Sequence, residues 1–390
     1  MTNPTAHGLS DKARAEIQGL RPYLPGKPID ELAREIGLNP ADIVKLASNE
    51  NPIGPSKKAI AAMEAEARDL TRYPDGNGFE LKQALCEKLS TASDPVTPEQ
   101  ITLGNGSSDI LDFIVTCFVS KNDQVIFSQH AFAIYGLVTT VQGGESIIVP
   151  AKNYGHDLDA MAAAINDKTR LMFVTNPNNP TGTWLTRTEI KHFMGKVPSD
   201  VVVVLDEAYF EYVHEDDFCD GLTLLAEFPN LIVTRTFSKA YGLAALRVGY
   251  GISSPEIANL MNRVRPPFNV NSFALAAAVA TLKDEEYVAE SKAINDQGMS
   301  YLTQTFDELD LPYIPSVGNF VSFEIPKQAN GEPTNISAAQ VNDQLLAAGV
   351  IIRLVANYEM PNHLRVSIGT PKENEIFISK LKKILADARS

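Results

Sequence analysis

The segment VVVVLDEAY, residues 201–209, constrains the fold more than any other stretch of the chain. Four β-branched apolar residues in a row suit a strand covered on both faces. A strand without apolar–polar alternation belongs in a parallel sheet with helices on either side. An aspartate at the end of such a strand is costly to bury without a cationic partner. Asp206 therefore points to a polar site at the carboxyl edge of the sheet, where open α/β sheets gather their ligands. The plainer reading, an aspartate capping the next element, leaves the adjacent acid and Tyr209 unaccounted for.

The same texture repeats along the chain. Apolar runs at 124–127, 146–149, 171–175 and 201–205 alternate with helical patterns near 131–141, 159–165 and 188–193. This predicts an α/β fold with a mostly parallel central sheet flanked by helices. In ITLGNGSSDILDFIVTCF, residues 101–118, a glycine-rich turn leads from a strand into a helix with an apolar stripe. The N–H groups and the field at such a helix start attract phosphate. VTNPNNPTG, residues 174–182, ends another buried strand with Asn176, Asn178 and Asn179, whose amides could grip a ring hydroxyl.

A long helical region over 272–306 is expected to join a large domain to a smaller one, because the tail alternates strands near 319–323, 350–354 and 364–368 with helices. The expected division is an N-terminal arm over 1–50 that contributes to the small domain and the site rim, a large domain over 51–290, and a small α+β domain over 291–390.

LIVTRTFSKAYGLAALRVGY, residues 231–250, sets Thr234, Thr236, Ser238, Lys239 and Arg247 beside an apolar strand. Three hydroxyls and two cations could hold a phosphate. A lysine partly shielded from water has its pKa lowered toward use as a nucleophile. An exposed strand-end lysine is the competing reading of this stretch alone. Elsewhere, RPYLPGKP over 21–28 reads as an extended arm with Tyr23 at a cleft rim. TRYPDGNG over 71–78 is a pinned turn carrying Tyr73.

Composition narrows the function classes. The formal charge of −14 argues against a nucleic-acid or anionic-membrane partner, and any anionic substrate needs a local positive cluster. Three scattered cysteines give no disulfide framework, and six dispersed histidines give no zinc spacing, so no metal is expected. With no signal-peptide pattern and no apolar run near the roughly 20 residues of a membrane span, a cytoplasmic location is expected.

Taken in order, GNGSS, Asn179, Asp206 with Tyr209, Lys239 and Arg247 answer the needs of one cofactor type, a carbonyl group on a phosphorylated pyridine ring. Such a group needs a lysine for a Schiff base, an acid under the ring nitrogen and donors for the ring oxygen. Its phosphate needs a helix end, hydroxyls and an arginine.

On RPYLPGKP, ASNENPIGPS, RYPDG, GNGSS, TNPNNPTG, LDEAYFEY, RTFSKAYGLAALRVGY and ANYEMPNHLRVSIGT, the chain resembles the fold type I pyridoxal-phosphate aminotransferases, and among them the histidinol-phosphate aminotransferases. These motifs span residues 21–370. The resemblance implies the PLP-dependent transferase fold, pyridoxal 5'-phosphate as cofactor, and a homodimer with small-molecule amino donor and 2-oxo acceptor. It implies Lys239 as the Schiff-base lysine, Asp206 at the ring nitrogen, and Tyr209 and Asn179 on the ring oxygen. Ser107, Ser108, Thr236, Ser238 and Arg247 would surround the phosphate, with Tyr73 reaching it from the other subunit. Phe132 would stack on the ring, with Tyr135 as the alternative, and Tyr23, Asn49, Arg353 and Arg365 would meet the substrate. The implied reaction makes histidinol phosphate and 2-oxoglutarate from imidazole-acetol phosphate and glutamate. A same-fold aminotransferase for aromatic or a broad range of amino acids is the alternative.

Overall fold

The structure, a computed structural model, describes residues 9–20, 22, 26–325 and 336–389. Tyr23 and the KQANGEPTN insert lie outside the described residues.

A short strand, β1 (Val44–Lys45), leaves the N-terminal arm. Seven strands then build the main sheet: β2 (Ile101–Gly104), β3 (Gln124–Ser128), β4 (Glu145–Val149), β5 (Thr169–Thr175), β6 (Val202–Asp206), β7 (Leu231–Thr236) and β8 (Gly249–Ile252). Their order is β2-β8-β7-β6-β5-β3-β4. The pairs from β7 through β6, β5 and β3 to β4 are parallel, while β8 runs antiparallel to both β7 and β2. Every residue of β6 and of β7 is buried, as coverage of both faces of the sheet requires. One face packs on a core that includes Leu103, Met172, Val203 and Ala277, and the other on Ile114, Phe173, Val204 and Ile232.

The expected long helix over 272–306 is two helices, Ser272–Leu282 and Glu285–Glu308. The break falls at Asp284, whose carboxylate accepts from Ser56 Oγ at 2.6 Å and Lys58 Nζ at 2.8 Å, tying the junction to the start of helix Lys57–Glu66. Ser56 caps that helix as its sequence position predicts, accepting from the N–H groups of Lys58 and Ala59.

Beyond the second helix, β9 (Tyr313–Ile314), β10 (Phe320–Glu324), β12 (Arg353–Leu354) and β13 (His363–Ser367) form an antiparallel sheet in the order β12-β13-β10-β9. The single strand expected over 350–354 is divided. Its first part, β11 (Val350–Ile351), pairs in parallel with β1, and its second part, β12, turns to pair with β13. The arm is thereby stitched to the C-terminal sheet, and Val44 and Leu46 share a core with Phe306, Val366 and Phe377. Among the described residues, no helix is long and apolar enough to cross a membrane.

Candidate active site

The carboxyl ends of β5, β6 and β7, the start of helix Ser107–Phe118 and the face of β12 and β13 enclose a cavity of about 290 Å³. Ser107, Ser108, Phe132, Asn179, Asp206, Tyr209, Thr236, Ser238, Lys239, Arg247, Asn49, Arg353 and Arg365 all line it. Residues separated by more than 300 positions in the chain therefore meet in one chamber.

Lys239 lies just past the end of β7, and its Nζ donates to Ser48 O at 3.1 Å and stands 5.6 Å from the Tyr209 ring centroid. Burial, and after it the Arg365 cation, pull its amine down from 10.5 to about 8, with Glu50 opposing. Asp206 ends β6 and is buried. Its Oδ1 accepts from Thr234 Oγ1 at 2.8 Å and its Oδ2 from Tyr135 Oη at 2.7 Å. Burial raises its carboxyl, and the two hydroxyl donors act against that rise. Thr234, grouped in sequence with Thr236 and Ser238 as a candidate for holding phosphate, serves the carboxylate instead. It is the register partner of Asp206 across the β6–β7 pair.

The acid next to Asp206 points away from this chamber, as alternation along an extended chain demands. Glu207 accepts from Arg235 Nε at 2.9 Å and Nη2 at 2.7 Å, and Asp220 accepts from Arg235 Nη2 at 2.7 Å. The Phe210 ring lies 3.6 Å from the guanidinium carbon. These two acids hold Arg235 firmly charged against the cost of burial.

The end of the chamber at the start of helix Ser107–Phe118 is built by backbone geometry. Gly106 caps helix Ser107–Phe118 at φ 85°, in the region that favours glycine, so the helix starts at the cavity with Ser107 and Ser108 in its first turn. Gly249 lies so close that a Cβ there would come within 2.8 Å of Gly106 C. Arg247 has φ 56°, an uncommon conformation for a side-chain-bearing residue, and its Nη1 sits 3.1 Å from Ala244 O and 3.4 Å from Ser238 Oγ. Thr236 Oγ1 accepts from Ser238 N at 3.1 Å.

At the other end, β12 and β13 set Arg353 and Arg365 directly opposite each other. Opposed residues of an antiparallel pair project from the same face, so both guanidinium groups belong to the cavity side. Arg365 Nη2 donates to Ala47 O at 2.7 Å and Nη1 donates to Asn179 Oδ1. Asn49, expected to meet substrate, has its side chain engaged by protein: Nδ2 donates to Tyr209 Oη at 2.9 Å, and Oδ1 accepts from Ser367 Oγ at 2.9 Å. Burial lifts the Tyr209 hydroxyl to about 12, with Arg365 and the Asn49 bond opposing.

Phe132 reaches the cavity, whereas Tyr135 is fully enclosed behind Asp206 and stacks on Phe173 with centroids 4.3 Å apart. Tyr73 is not brought to the chamber within one chain. It is 81% exposed, stacks on Phe268 at 4.6 Å, and borders a separate groove of about 500 Å³. Sequence reasoning passed over Ser48, Thr175, Ala208 and Tyr358, which also line the cavity. The SNEN loop and the ANYEMPNH loop carried a signal for Ser48 and Tyr358, but Ala208 offers only its small size.

Comparison with known proteins agrees with this geometry. A profile of the family "Aminotransferase class I and II" matches residues 41–381. The histidinol-phosphate aminotransferase 2 of a Pseudomonas fluorescens strain is 54% identical over 96% of this chain and 98% of its own length. The histidinol-phosphate aminotransferase of Methylobacillus flagellatus is 53% identical over 97% of this chain and 98% of its own. Among solved structures, the histidinol-phosphate aminotransferase of Sinorhizobium meliloti in complex with pyridoxal-5'-phosphate superposes with a TM-score of 0.87 at 28% identity, covering 96% of this chain and 98% of that one. A mutant aspartate aminotransferase of Thermus thermophilus, 22% identical over 97% of this chain and 99% of its own with a TM-score of 0.81, shares the fold. With 54% identity spanning both proteins nearly end to end, the chain belongs to the class I and II aminotransferases of fold type I, and within them to the histidinol-phosphate aminotransferase family.

Proposed function

We propose that this chain is a pyridoxal 5'-phosphate-dependent aminotransferase that moves the amino group of L-glutamate to imidazole-acetol phosphate, giving 2-oxoglutarate and L-histidinol phosphate. The observation that carries the reading is the direct opposition of Arg353 and Arg365 on the wall of the chamber that also contains Lys239 and Asp206. One guanidinium fork matches a carboxylate, while a phosphate dianion has further acceptors to fill, and two opposed arginines offer donors for both. The names of the relatives at 53–54% identity favour the same reaction.

The residues present fit the cofactor. A helix start, four hydroxyls and an arginine gather at a glycine-walled cradle, a buried carboxylate has both oxygens oriented, and a shielded amine stands between them. When bound, the cofactor supplies a carbonyl carbon for amines to attack and a ring that takes up the electron pair released at the substrate α-carbon. Ser107, Ser108, Thr236, Ser238 and Arg247 would hold its phosphate. Asp206 would be the partner of the ring nitrogen, and its charge would favour a proton there. Tyr209, oriented by Asn49, and Asn179 would donate to the ring oxygen, and Phe132 would cover a ring face.

Lys239 Nζ is the amine that would hold the cofactor, and when free it is the base that takes and returns the substrate α-proton. Its low pKa leaves a usable neutral fraction at neutral pH. Arg365 binds the glutamate carboxylate and the phosphate substrate in turn. Arg353 adds its fork for the phosphate, and the family resemblance assigns Tyr23 to the same subsite.

The same reading makes the protein a cytoplasmic homodimer, with domain divisions near residues 50 and 290. The exposed Tyr73, which borders the groove of about 500 Å³, and the exposed Phe268 stacked on it support a second copy docking there and bringing Tyr73 to its partner's phosphate site. The deciding assay measures kcat/KM for half-reactions with histidinol phosphate, phenylalanine and glutamate in the parent, Arg353→Ala and Arg365→Ala. Arg353→Ala should lose mainly the phosphate substrate and Arg365→Ala should lose all carboxylate and phosphate substrates. A parent that prefers phenylalanine would leave an aromatic aminotransferase in its place.

A further inference from the structure

We infer that Tyr135 is a positioning residue for Asp206: a line of hydroxyls from Thr175 through Tyr135 keeps that carboxylate a weak base, so that a proton shared with the cofactor's ring nitrogen stays on the nitrogen. The inference rests on the cofactor reading above and adds to it a residue that touches neither cofactor nor substrate.

The donor count gives the line its direction. An ionised carboxylate only accepts, so the single hydroxyl proton of Tyr135 is committed to Asp206 Oδ2 at 2.7 Å. Thr175 Oγ1, 2.8 Å from the same Tyr135 oxygen, must then donate to it. Hydroxyls linked in this way polarise one another, which strengthens the final bond to Asp206. The other carboxylate oxygen takes one donor of its own, Thr234 Oγ1 at 2.8 Å. Each oxygen is thus fixed in place by one buried hydroxyl, and neither hydroxyl belongs to the cavity wall.

The tyrosine ring is held independently of its hydroxyl. It lies 4.3 Å from Phe173 at an interplanar angle of 4°, and meets Phe132 edge-on at 5.9 Å. A phenylalanine would satisfy that packing, so the hydroxyl's contribution is to Asp206. Donors to a carboxylate stabilise its charged form. Without them, a carboxylate buried this deeply becomes a stronger base and draws the shared proton from the ring. A neutral ring beside a neutral acid is a poorer acceptor of electrons from the substrate α-carbon.

The test uses apoprotein of the parent, Tyr135→Phe and Thr234→Val. It measures Kd for pyridoxal 5'-phosphate and for its 1-carba analogue, in which C–H replaces the ring nitrogen. The parent should prefer the natural cofactor. Tyr135→Phe should cut that preference by roughly tenfold, the worth of one hydrogen bond to a charged group, while affinity for the carba analogue is unchanged. Thr234→Val should move it the same way, and Thr234→Ser should restore it. In the loaded proteins, the nitrogen-15 shift of labelled cofactor should move toward that of an unprotonated pyridine in Tyr135→Phe. An unchanged preference and an unchanged nitrogen shift in both variants, whatever their thermal stability, would overturn the inference and leave Tyr135 a core residue. A parent that does not distinguish the two ligands would remove the placement of Asp206 at a ring nitrogen, and the inference with it.

Discussion

Replacing Lys239 by methionine should make the apoprotein more stable at pH 7. The lysine amine is drawn from 10.5 to about 8 by burial first and then by Arg365. Between those values the unfolded chain binds a proton that the folded chain has released, so stability rises with pH across the window. Below pH 8 the native protein bears the full cost of a protonated amine in that position. At 1.36 kcal/mol per unit the interval amounts to about 3 kcal/mol, which part exposure of the side chain to the cavity reduces to about 2. Methionine keeps most of the apolar stem and forfeits only the bond to Ser48 O, worth about 1 kcal/mol. The variant should therefore lead by about 1 kcal/mol at pH 7, draw level through pH 8–9, and fall behind near pH 10. Urea unfolding of parent and variant apoproteins from pH 6.5 to 10 reads this directly, because titrations elsewhere cancel in the difference. A difference that stays flat with pH, or a parent more stable at pH 7, would refute the depressed amine. The same depression matters for reactivity. At pH 7 about one amine in ten is neutral when its pKa is about 8, compared with roughly three in ten thousand at 10.5.

Asp206→Asn keeps the shape and loses the charge, so turnover should fall by orders of magnitude while cofactor affinity falls far less. Stopped-flow half-reactions beside equilibrium binding would separate the two, and a rate within a few-fold of the parent would count against a charged partner for the ring. Glu207→Gln removes the carboxylate that accepts two bonds from the buried Arg235 and should cost about 3 kcal/mol in denaturant unfolding, with little change in the spectrum of bound cofactor. Tyr73→Phe should weaken cofactor retention by about 1.5–3 kcal/mol without abolishing turnover, and sedimentation should show dimers at assay concentrations. Active monomers would rule out a site shared between subunits.

Several parts of the fold and site were legible because local chemistry dictates them. The unbroken valines before Asp206 could only be a strand covered on both sides, and β6 is buried throughout. The turn GNGSS had to start a helix beside a strand, and Gly106 occupies the conformation that the turn requires. Where the reading strayed, long-range contacts had intervened. The helix over 272–306 breaks because Asp284 is claimed by Ser56 and Lys58, more than 220 positions away. The strand over 350–354 divides because β1 and β13 compete for its two halves.

The sequence by itself determined the layered α/β class and pointed to Lys239 and Asp206 as a shielded amine and a costly buried acid, since these follow from periodicity, burial cost and residue chemistry within a few positions; Arg353 and Arg365 were singled out by the family resemblance. The tertiary structure alone decided which polar atom meets which. It turned Thr234 from the phosphate group toward Asp206, enclosed Tyr135 behind the acid, occupied Asn49 with Tyr209 and Ser367, and left Tyr73 on the outside of its own chain. The reason is physical: a hydrogen bond depends on tenths of an ångström and a few tens of degrees between groups that strand register and loop closure bring together, and neither is encoded in any one segment.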